Sequence, residues 1–497
     1  MKKEIALFTA LILLAVCMAC SVNAEDAKPI YRLKWVAFPP TAPIDMKMVE
    51  DELNKMSREK VGVEVEFYFM DDSQVRNSML AGEIYDMYFS CAWYNNYNQA
   101  VSSGFYADIT DKVKEWTPKL YATLDEKFWN LAKSADGRLY GIPTKKDFAP
   151  MLYISYDAKF AREHGFNIPD EISSWDEMTD YLKALKASME PGDYPVMIGG
   201  SPGGMETSFD FIDRTALIGV DFGDTKVKTV LENKDILDRI HTMYKWRQMG
   251  LVNPDAATIK ETSIDNHHHH IKFNQSWPGQ DLSPIYGYET AKTKYAGPML
   301  TTDGMQGAMT AFSVTLENDP ERFRAAMKYQ EMVNTDVLYR DTLRYGIQGY
   351  HWNYADVPQD DGTVGKAVVR TEVGKSNYIT AEFAHGSVAL LTVEASPEML
   401  DGTFAKPNLK QWDEYFELIK DTPVSAIAGF TFKTDGLTNI LTELQVIKEE
   451  YHNRILSGTD DPDVAIPAML EKMNSAGLQT VIDEAQRQLD EYLSKVK

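Results

Sequence analysis

Cysteine is scarce in this sequence. There are three in 497 residues, and two of them, Cys17 and Cys20, fall in its opening segment. Removing that segment leaves Cys91 alone, which excludes an internal disulfide even in an oxidising compartment. Positive charge is also short, with 51 Lys and Arg against 74 Asp and Glu and a formal charge of −23. Such a surface repels nucleic acid and anionic membrane, so neither is expected as a partner. Past the opening segment no stretch is long and apolar enough to span a bilayer, which takes about 20 residues. Walker loops, a hydrolase elbow, a zinc-protease helix motif, internal repeats and low-complexity segments are all missing.

The opening segment itself reads as a secretory signal over residues 1–24. Lys2 and Lys3 precede an apolar run from Ile5 to Val16 whose only polar member is Thr9. The run is too short to span a bilayer. Val22-Asn23-Ala24 resembles a signal-peptidase site, giving a mature start at Glu25. Ala19-Cys20-Ser21 resembles the end of a lipobox, with Cys20 as the lipidated residue, although Cys17 stands where Leu is expected. An exported lipoprotein on the extracytoplasmic face and a soluble periplasmic or secreted protein both stay open. The remaining length suggests two or three domains at about 150 residues each.

The first part of the mature chain alternates strand and helix. Tyr31 to Ala37 has β character. Asp45 precedes Met46, Val49, Leu53 and Met56, the spacing of a helix face, and is the expected cap. Val61, Val63, Val65, Phe67 and Phe69 alternate as a strand does. Asp71 or Asp72 opens a second helix, and Tyr85 to Phe89 is a third strand. This β-α-β-α-β order implies a parallel sheet, whose ligands bind at the carboxyl ends of its strands. A connection begins at Gly141-Ile142-Pro143. A second α/β region follows, with a capping box at Ser174 to Glu177 and strands expected at Pro195–Ile198 and Ile271–Asn274. Gly199 to Gly204 is glycine-rich but lacks the Lys and Ser/Thr of a phosphate loop, so it reads as a flexible wall or turn. Residues 360–435 are mixed. Helices follow at 437–457 and on either side of Gly477.

His267 to His270 is the most conspicuous local run. Adjacent imidazoles rarely converge on one ion, so an exposed loop is expected there and no metal or cofactor is assigned. Aromatics are plentiful, and Tyr and Trp suit both cores and sugar-binding clefts. Those at predicted strand ends or turns are Trp35, Phe38, Trp93, Tyr94, Trp129, Tyr153, Trp277, Tyr345, His351 and Trp352.

A set of short segments, in order, carries a resemblance. They are Gly82-Glu83 with Tyr85-Asp86-Met87-Tyr88, Trp93 with Tyr97, Gly104-Phe105, and Asp136 to Pro143. Asp319-Pro320-Glu321-Arg322, Asn334-Thr335-Asp336 and Tyr345 to Trp352 follow. Gly429 to Phe432, Leu456-Ser457-Gly458, Ala476-Gly477-Leu478 and Glu484 to Asp490 close the series. Together they resemble the extracellular solute-binding proteins of ABC importers, of the oligosaccharide type, in the lipoprotein subgroup with an extra C-terminal domain of unknown function. Residues 376–395 depart from that pattern.

The resemblance implies an α/β fold of the periplasmic-binding-protein type II class: two lobes, a hinge and an interlobe cleft, with a C-terminal α+β extension. Lobe 1 is expected from 30–145 and 310–360, lobe 2 from 146–309, and the extra domain from 361–497. It implies a monomer that binds a carbohydrate without catalysis, needs no cofactor, and delivers its ligand to the membrane permease. Trp35, Trp93, Trp277 and Trp352 are the expected stacking platforms. Phe38, Tyr94, Tyr153 and His351 are further aromatic candidates. Asp71, Asp86, Asp147 and Arg344 are the expected polar contacts, with bracing of its own strand as the alternative for Asp86. Rival functions are a secreted glycoside-active enzyme and a peptide-binding importer component.

Overall fold

The alternating valines and phenylalanines of residues 63–69 form an edge strand with a helix on either side of it in sequence, and this pattern builds the first lobe. A computed structural model of the chain describes residues 30–381 and 386–496. The signal segment and Cys20 lie outside the described residues. Along the chain come β1 (Tyr31–Ala37), α1 (Met46–Val61), β2 (Val63–Phe69), α2 (Asp72–Leu80), β3 (Met87–Ser90) and β4 (Gly141–Pro143). Next are β5 (Met151–Asp157), β6 (Lys272–Ser276) and β7 (Thr290–Ala296), then β8 (Met309–Phe312), α3 (Pro320–Thr335) and α4 (Val337–Tyr345). A hairpin, β9 (Trp352–Pro358) and β10 (Val364–Arg370), leads to α5 (Gln411–Leu418), α6 (Thr438–Leu456), α7 (Pro462–Ser475) and α8 (Leu478–Val496).

Lobe 1 is a five-stranded sheet in the order β2-β1-β3-β8-β4. β1 runs parallel to β2 and β3, and β8 runs antiparallel to β3 and β4. The carboxyl ends of β1, β2, β3 and β4 therefore share one edge. That edge carries Phe38, Asp71, the 91–95 loop and Asp147. Behind it a bidentate ion pair ties the sheet to α3. Arg322 donates from Nε and Nη2 to Asp86 at 2.6 and 2.8 Å, and Lys34 N donates to the same carboxylate at 2.7 Å. Asp86 is buried, so losing Arg322 would leave an uncompensated charge at a cost of roughly 3–5 kcal/mol.

The second lobe centres on the antiparallel sheet β7-β5-β6. Its cap at Ser174 forms as a capping box with Glu177. The expected strand at 195–198 reduces to bridges from Val196 to Val252 and Ile271, flanked by Pro195 and Gly199. The glycine-rich loop is a packed wall. A Cβ on Gly199 would lie 2.5 Å from the Glu261 amide nitrogen, so glycine there serves close backbone contact.

Two expectations are corrected. Asp45 does not cap α1 with its side chain. Its carboxylate instead accepts from His351 Nε2 at 3.2 Å and Asn377 Nδ2 at 3.1 Å. Residues 361–497 are also not one domain. The boundary at 360 falls inside the β9–β10 hairpin. Tyr378, Tyr415 and Ile419 enter the core of lobe 1, whereas Leu444, Ile455, Met469 and Leu489 enter that of lobe 2. The apolar faces of α6, α7 and α8 have lobe 2 as their packing partner, so the helices complete that core.

The chain consequently crosses between cores three times, at 144–150, 297–308 and 420–430. The first two crossings touch at Gly297, whose φ is +82° and where a Cβ would lie 2.1 Å from the Pro150 carbonyl oxygen. The third runs beside the second: Ser425 N donates to Leu300 O at 2.8 Å and Gly429 N to Thr302 Oγ1 at 2.5 Å. Ser425 Oγ also donates to Asp210 of lobe 2.

Burial pushes the Asp210 carboxyl up from 3.8 to about 6, against the Ser425 hydrogen bond. Its folded-state value is raised, so its contribution is fully present below the ordinary carboxylate range and is lost as pH rises through about 6. Asp210→Asn should therefore melt higher than the parent at about pH 7.5, by the equivalent of roughly 2–3 kcal/mol. The gap should close toward about pH 4. Melting curves at both pH values check this, and an equal gap at both would sink it.

Candidate functional site

A cavity of about 760 Å³ opens where the first crossing, lobe 2 and the segment 388–412 meet. That volume lies within the roughly 300–1,000 Å³ range of small-molecule sites. Two tryptophans form its ring platform. Trp277 and Trp412 lie with ring centroids 4.6 Å apart at 31°. Trp277 Nε1 donates to Gln411 Oε1 at 3.0 Å, which fixes its orientation.

Each platform is held by local chemistry. Trp277 follows β6 in a turn over which Lys292 of β7 sits half-buried. Lys292 Nζ donates to Ser276 Oγ at 2.8 Å, to Gln280 O at 2.6 Å and to Trp277 O at 2.5 Å. Burial pulls this ammonium down to about 8, and the ring of Tyr153 lies 5.0 Å from it. Trp412 enters on α5, in the turn before which Asn408 Oδ1 accepts from Lys410 N at 2.9 Å. Asp147 pairs with Lys146 at 2.6 Å and accepts from Gln275 Nε2. Tyr345 lines the cavity with its hydroxyl donating to Thr392 O at 3.1 Å.

A second aromatic group stands at the carboxyl edge of the lobe 1 sheet. Phe38 meets Trp93 at 5.1 Å, Tyr94 at 5.3 Å and Phe89 at 5.4 Å. Trp93 is 56% exposed, the one large ring of this group offered to solvent. Its loop is held by Asn95, which adopts φ 45° and donates through Nδ2 to Phe89 O at 3.1 Å and Tyr106 Oη at 2.8 Å. Asn tolerates that left-handed conformation better than most residues.

The structure thus brings Asp147 and Trp277 together in the cavity, and Phe38, Trp93 and Tyr94 together at the edge. It places the other candidates elsewhere. Trp35 is fully buried between Phe67 and Tyr329, on the inward face with Leu33 and Ala37. Trp352 is fully buried one ring behind Tyr345, at 6.3 Å, with Nε1 donating to Gly346 O at 2.7 Å. His351 is buried too. Its Nδ1 accepts from Ile347 N at 2.9 Å, which leaves the proton on Nε2 for Asp45. Arg344 is committed to Thr380, through its carbonyl and, at 2.9 Å, its hydroxyl. Tyr153 is buried under Lys292, and burial raises its phenol to about 12. Asp71 caps α2 in a capping box with Gln74, and Asp86 braces its strand. Trp129 stacks on Tyr121 at 5.2 Å inside lobe 1. The aromatic candidates among these were chosen at predicted strand ends or turns, and packing covers them, whereas Asp71 stays exposed as a helix cap.

Two of the four histidines take separate partners through their side chains. His267 Nδ1 faces Tyr286 O at 3.1 Å, and His269 bonds Asp157 and stacks on Tyr288 at 4.3 Å. His270 is buried rather than exposed, and burial beside Lys272 pulls it down to about 3. Among the described residues no three His, Cys, Asp or Glu are grouped to hold a metal. Cys91 is free and buried, and burial pushes its thiol up to about 11. Among those residues no helix is long and apolar enough to cross a membrane. Trp412, Gln411 and Asn408 escaped the sequence reading, although Trp412, Tyr415, Phe416 and Ile419 keep the spacing of a helix face.

Comparison with known proteins agrees with this architecture. Residues 40–260 match the family described as bacterial extracellular solute-binding protein, and residues 426–494 match a domain of unknown function. A carbohydrate ABC transporter substrate-binding protein of Streptococcus pneumoniae is 23% identical over 507 residues, covering 97% of this chain and 96% of that protein. The crystal structure of the N-glycan transport solute binding protein NgtS from Streptococcus pneumoniae superposes with a TM-score of 0.79 at 22% identity, over 95% of this chain and 100% of that one. The same protein in complex with Man5GlcNAc gives 0.69 at 22% identity, over 95% and 100% of the two chains. The fold is therefore that of a solute-binding protein over nearly its full length. By these matches residues 40–260 are similar to the bacterial extracellular solute-binding proteins, and residues 426–494 to a domain of unknown function.

Proposed function

We propose that this protein is the extracytoplasmic carbohydrate-binding component of an ABC importer, capturing an oligosaccharide by lobe closure and passing it to the permease. The observation that carries this reading is the Trp277–Trp412 platform lining a cavity of about 760 Å³. A sugar's C–H face stacks on such rings, while carboxylate and amide groups such as Asp147 and Asn408 bind its hydroxyls. Phe38 and Trp93 are the proposed contacts on the lobe 1 edge. The family is one of binding proteins, which sets aside the glycoside-active enzyme. Peptide capture has less support. A peptide would want free strand backbone, and the extended segment 393–395 already pairs with Val368, through Val368 N to Val393 O and Ala395 N to Val368 O, both at 2.8 Å.

Closure follows from the same geometry. A ligand touching both walls favours the closed state by its differential contacts.

Calorimetric titration against a panel of neutral and acidic oligosaccharides tests the reading. A binder should emerge without release of reducing ends. Trp277→Ala and Trp412→Ala should each weaken it about tenfold or more while shifting the unliganded melting temperature little. A panel with no binder, or variants of undiminished affinity, would remove the platform from the site.

Anchoring is the second part of the proposal. A catcher held beside its permease works at a higher local concentration than a free one, which favours Cys20 as a lipid attachment. Mass spectrometry of the mature N-terminus should find diacylated Cys20, and a free Glu25 would refute it.

A further inference from the structure

The helix that carries Trp412 also grips the hinge. One turn beyond Trp412, Tyr415 is 1% exposed and reaches the first crossing. Its hydroxyl accepts from Ala149 N at 2.9 Å and donates to Ala149 O at 3.1 Å. Both hydrogen bonds go to one residue of the peptide segment that must bend when the lobes close. Its neighbour Phe416 packs on the same segment, 5.9 Å from Phe148 and with Lys145 Nζ 4.6 Å above its ring. The carbonyls of Ile419 and Lys420, just past the helix, accept from Lys127 of lobe 1. The third crossing leaves from this point. α5 is therefore fixed to lobe 1 and to the first crossing, while its Trp412 meets Trp277 of lobe 2.

From this placement we propose that Tyr415 is a positioning residue for ligand-driven closure. Through Ala149 it converts the seating of a ligand on Trp277 and Trp412 into a bias on the hinge. The proposal rests on the carbohydrate-binding reading for the identity of the ligand, but not for the mechanical link. A tyrosine that merely filled space could be replaced by phenylalanine without moving the lobes. Here the ring packs against Trp277 at 6.2 Å and Trp412 at 5.8 Å, and phenylalanine would keep those contacts. What it would lose is the pair of bonds to Ala149, leaving that buried backbone N–H and C=O without their partner.

The test measures interlobe distance directly. Lys55→Cys on α1 and Lys183→Cys in lobe 2 stand at exposed positions and take a donor and acceptor dye. Cys91 is buried and does not compete. The chain produced without its signal segment is examined by single-molecule energy transfer, alone and with Man5GlcNAc. In the unliganded protein Tyr415→Phe should shift or broaden the distance distribution relative to the parent. With the sugar it should reduce the closing amplitude and weaken apparent affinity about three- to tenfold, the scale of one or two neutral hydrogen bonds. Trp412→Ala should instead leave the unliganded distribution unchanged and lose the sugar response. An unliganded distribution identical in parent and Tyr415→Phe overturns the proposal, even if the variant melts lower. Absence of Man5GlcNAc binding by the parent counts against that sugar as ligand, and the unliganded comparison still decides the role of Tyr415.

Discussion

Two segments of chain pass between the lobes so closely at Gly297 that a single methyl group would lie 2.1 Å from the Pro150 carbonyl oxygen. No side chain fits there, and the residue adopts φ +82°, which suits glycine. The contact fixes where the lobes hinge. It also fixes where the cavity lies, because Asp147 stands on the crossing that makes the contact and Trp277 sits at the end of β6 that pairs with the first residue of β5, Met151. A wider passage would separate the wall of the cavity from the bend that closes it.

The third crossing changes the mechanics of such a hinge. Two connections leave the lobes free to twist about the line between them. A third, hydrogen-bonded to the second at Leu300 and anchored to lobe 2 by Ser425, restricts that twist. The C-terminal part of the chain is thus built into the moving machinery rather than appended to it. α6, α7 and α8 lie in the core of lobe 2, and α5 in that of lobe 1. Removing the segment would open both cores at once.

Much of this frame was legible in the sequence because its signals are local. The alternation over 63–69, the helix start at Asp71 or Asp72 and the capping box at Ser174 each act within a few residues. The structure follows them closely. Asp45 shows the limit of such signals. It has the right type and place for a cap, yet its carboxylate is taken by His351, 306 residues away. Depth was harder still. Trp35 had a usable cue, since it shares the inward face of β1 with Leu33 and Ala37. Trp352 had none: it and Tyr345 bracket one turn, and only packing decides which ring faces the cavity. Trp412 shares a helix face with Tyr415, Phe416 and Ile419, but its partner Trp277 is 135 positions earlier in the chain, so no local pattern could join them.

The size of the cavity bears on what can close it. Taking a two-state hinge from 1:99 to 99:1 requires about 5.5 kcal/mol of differential affinity. A neutral hydrogen bond nets about 1 kcal/mol, and an aromatic contact about as much beyond its buried area. Roughly five such interactions, all made only in the closed state, are therefore needed. A ligand confined to the Trp277–Trp412 platform meets two rings that already touch at 4.6 Å in the present state. It gains little there from closure. The remainder must come from groups that closure brings within reach, for which Phe38 and Trp93 at the edge of the lobe 1 sheet are the proposed candidates. A ligand with several sugar units can span both; one with a single ring makes only the platform's contacts, and the bias these pass to the hinge through Tyr415 falls short of what full closure needs. On this argument chain length, more than the identity of any one sugar, separates ligands that close the protein from those that only occupy it.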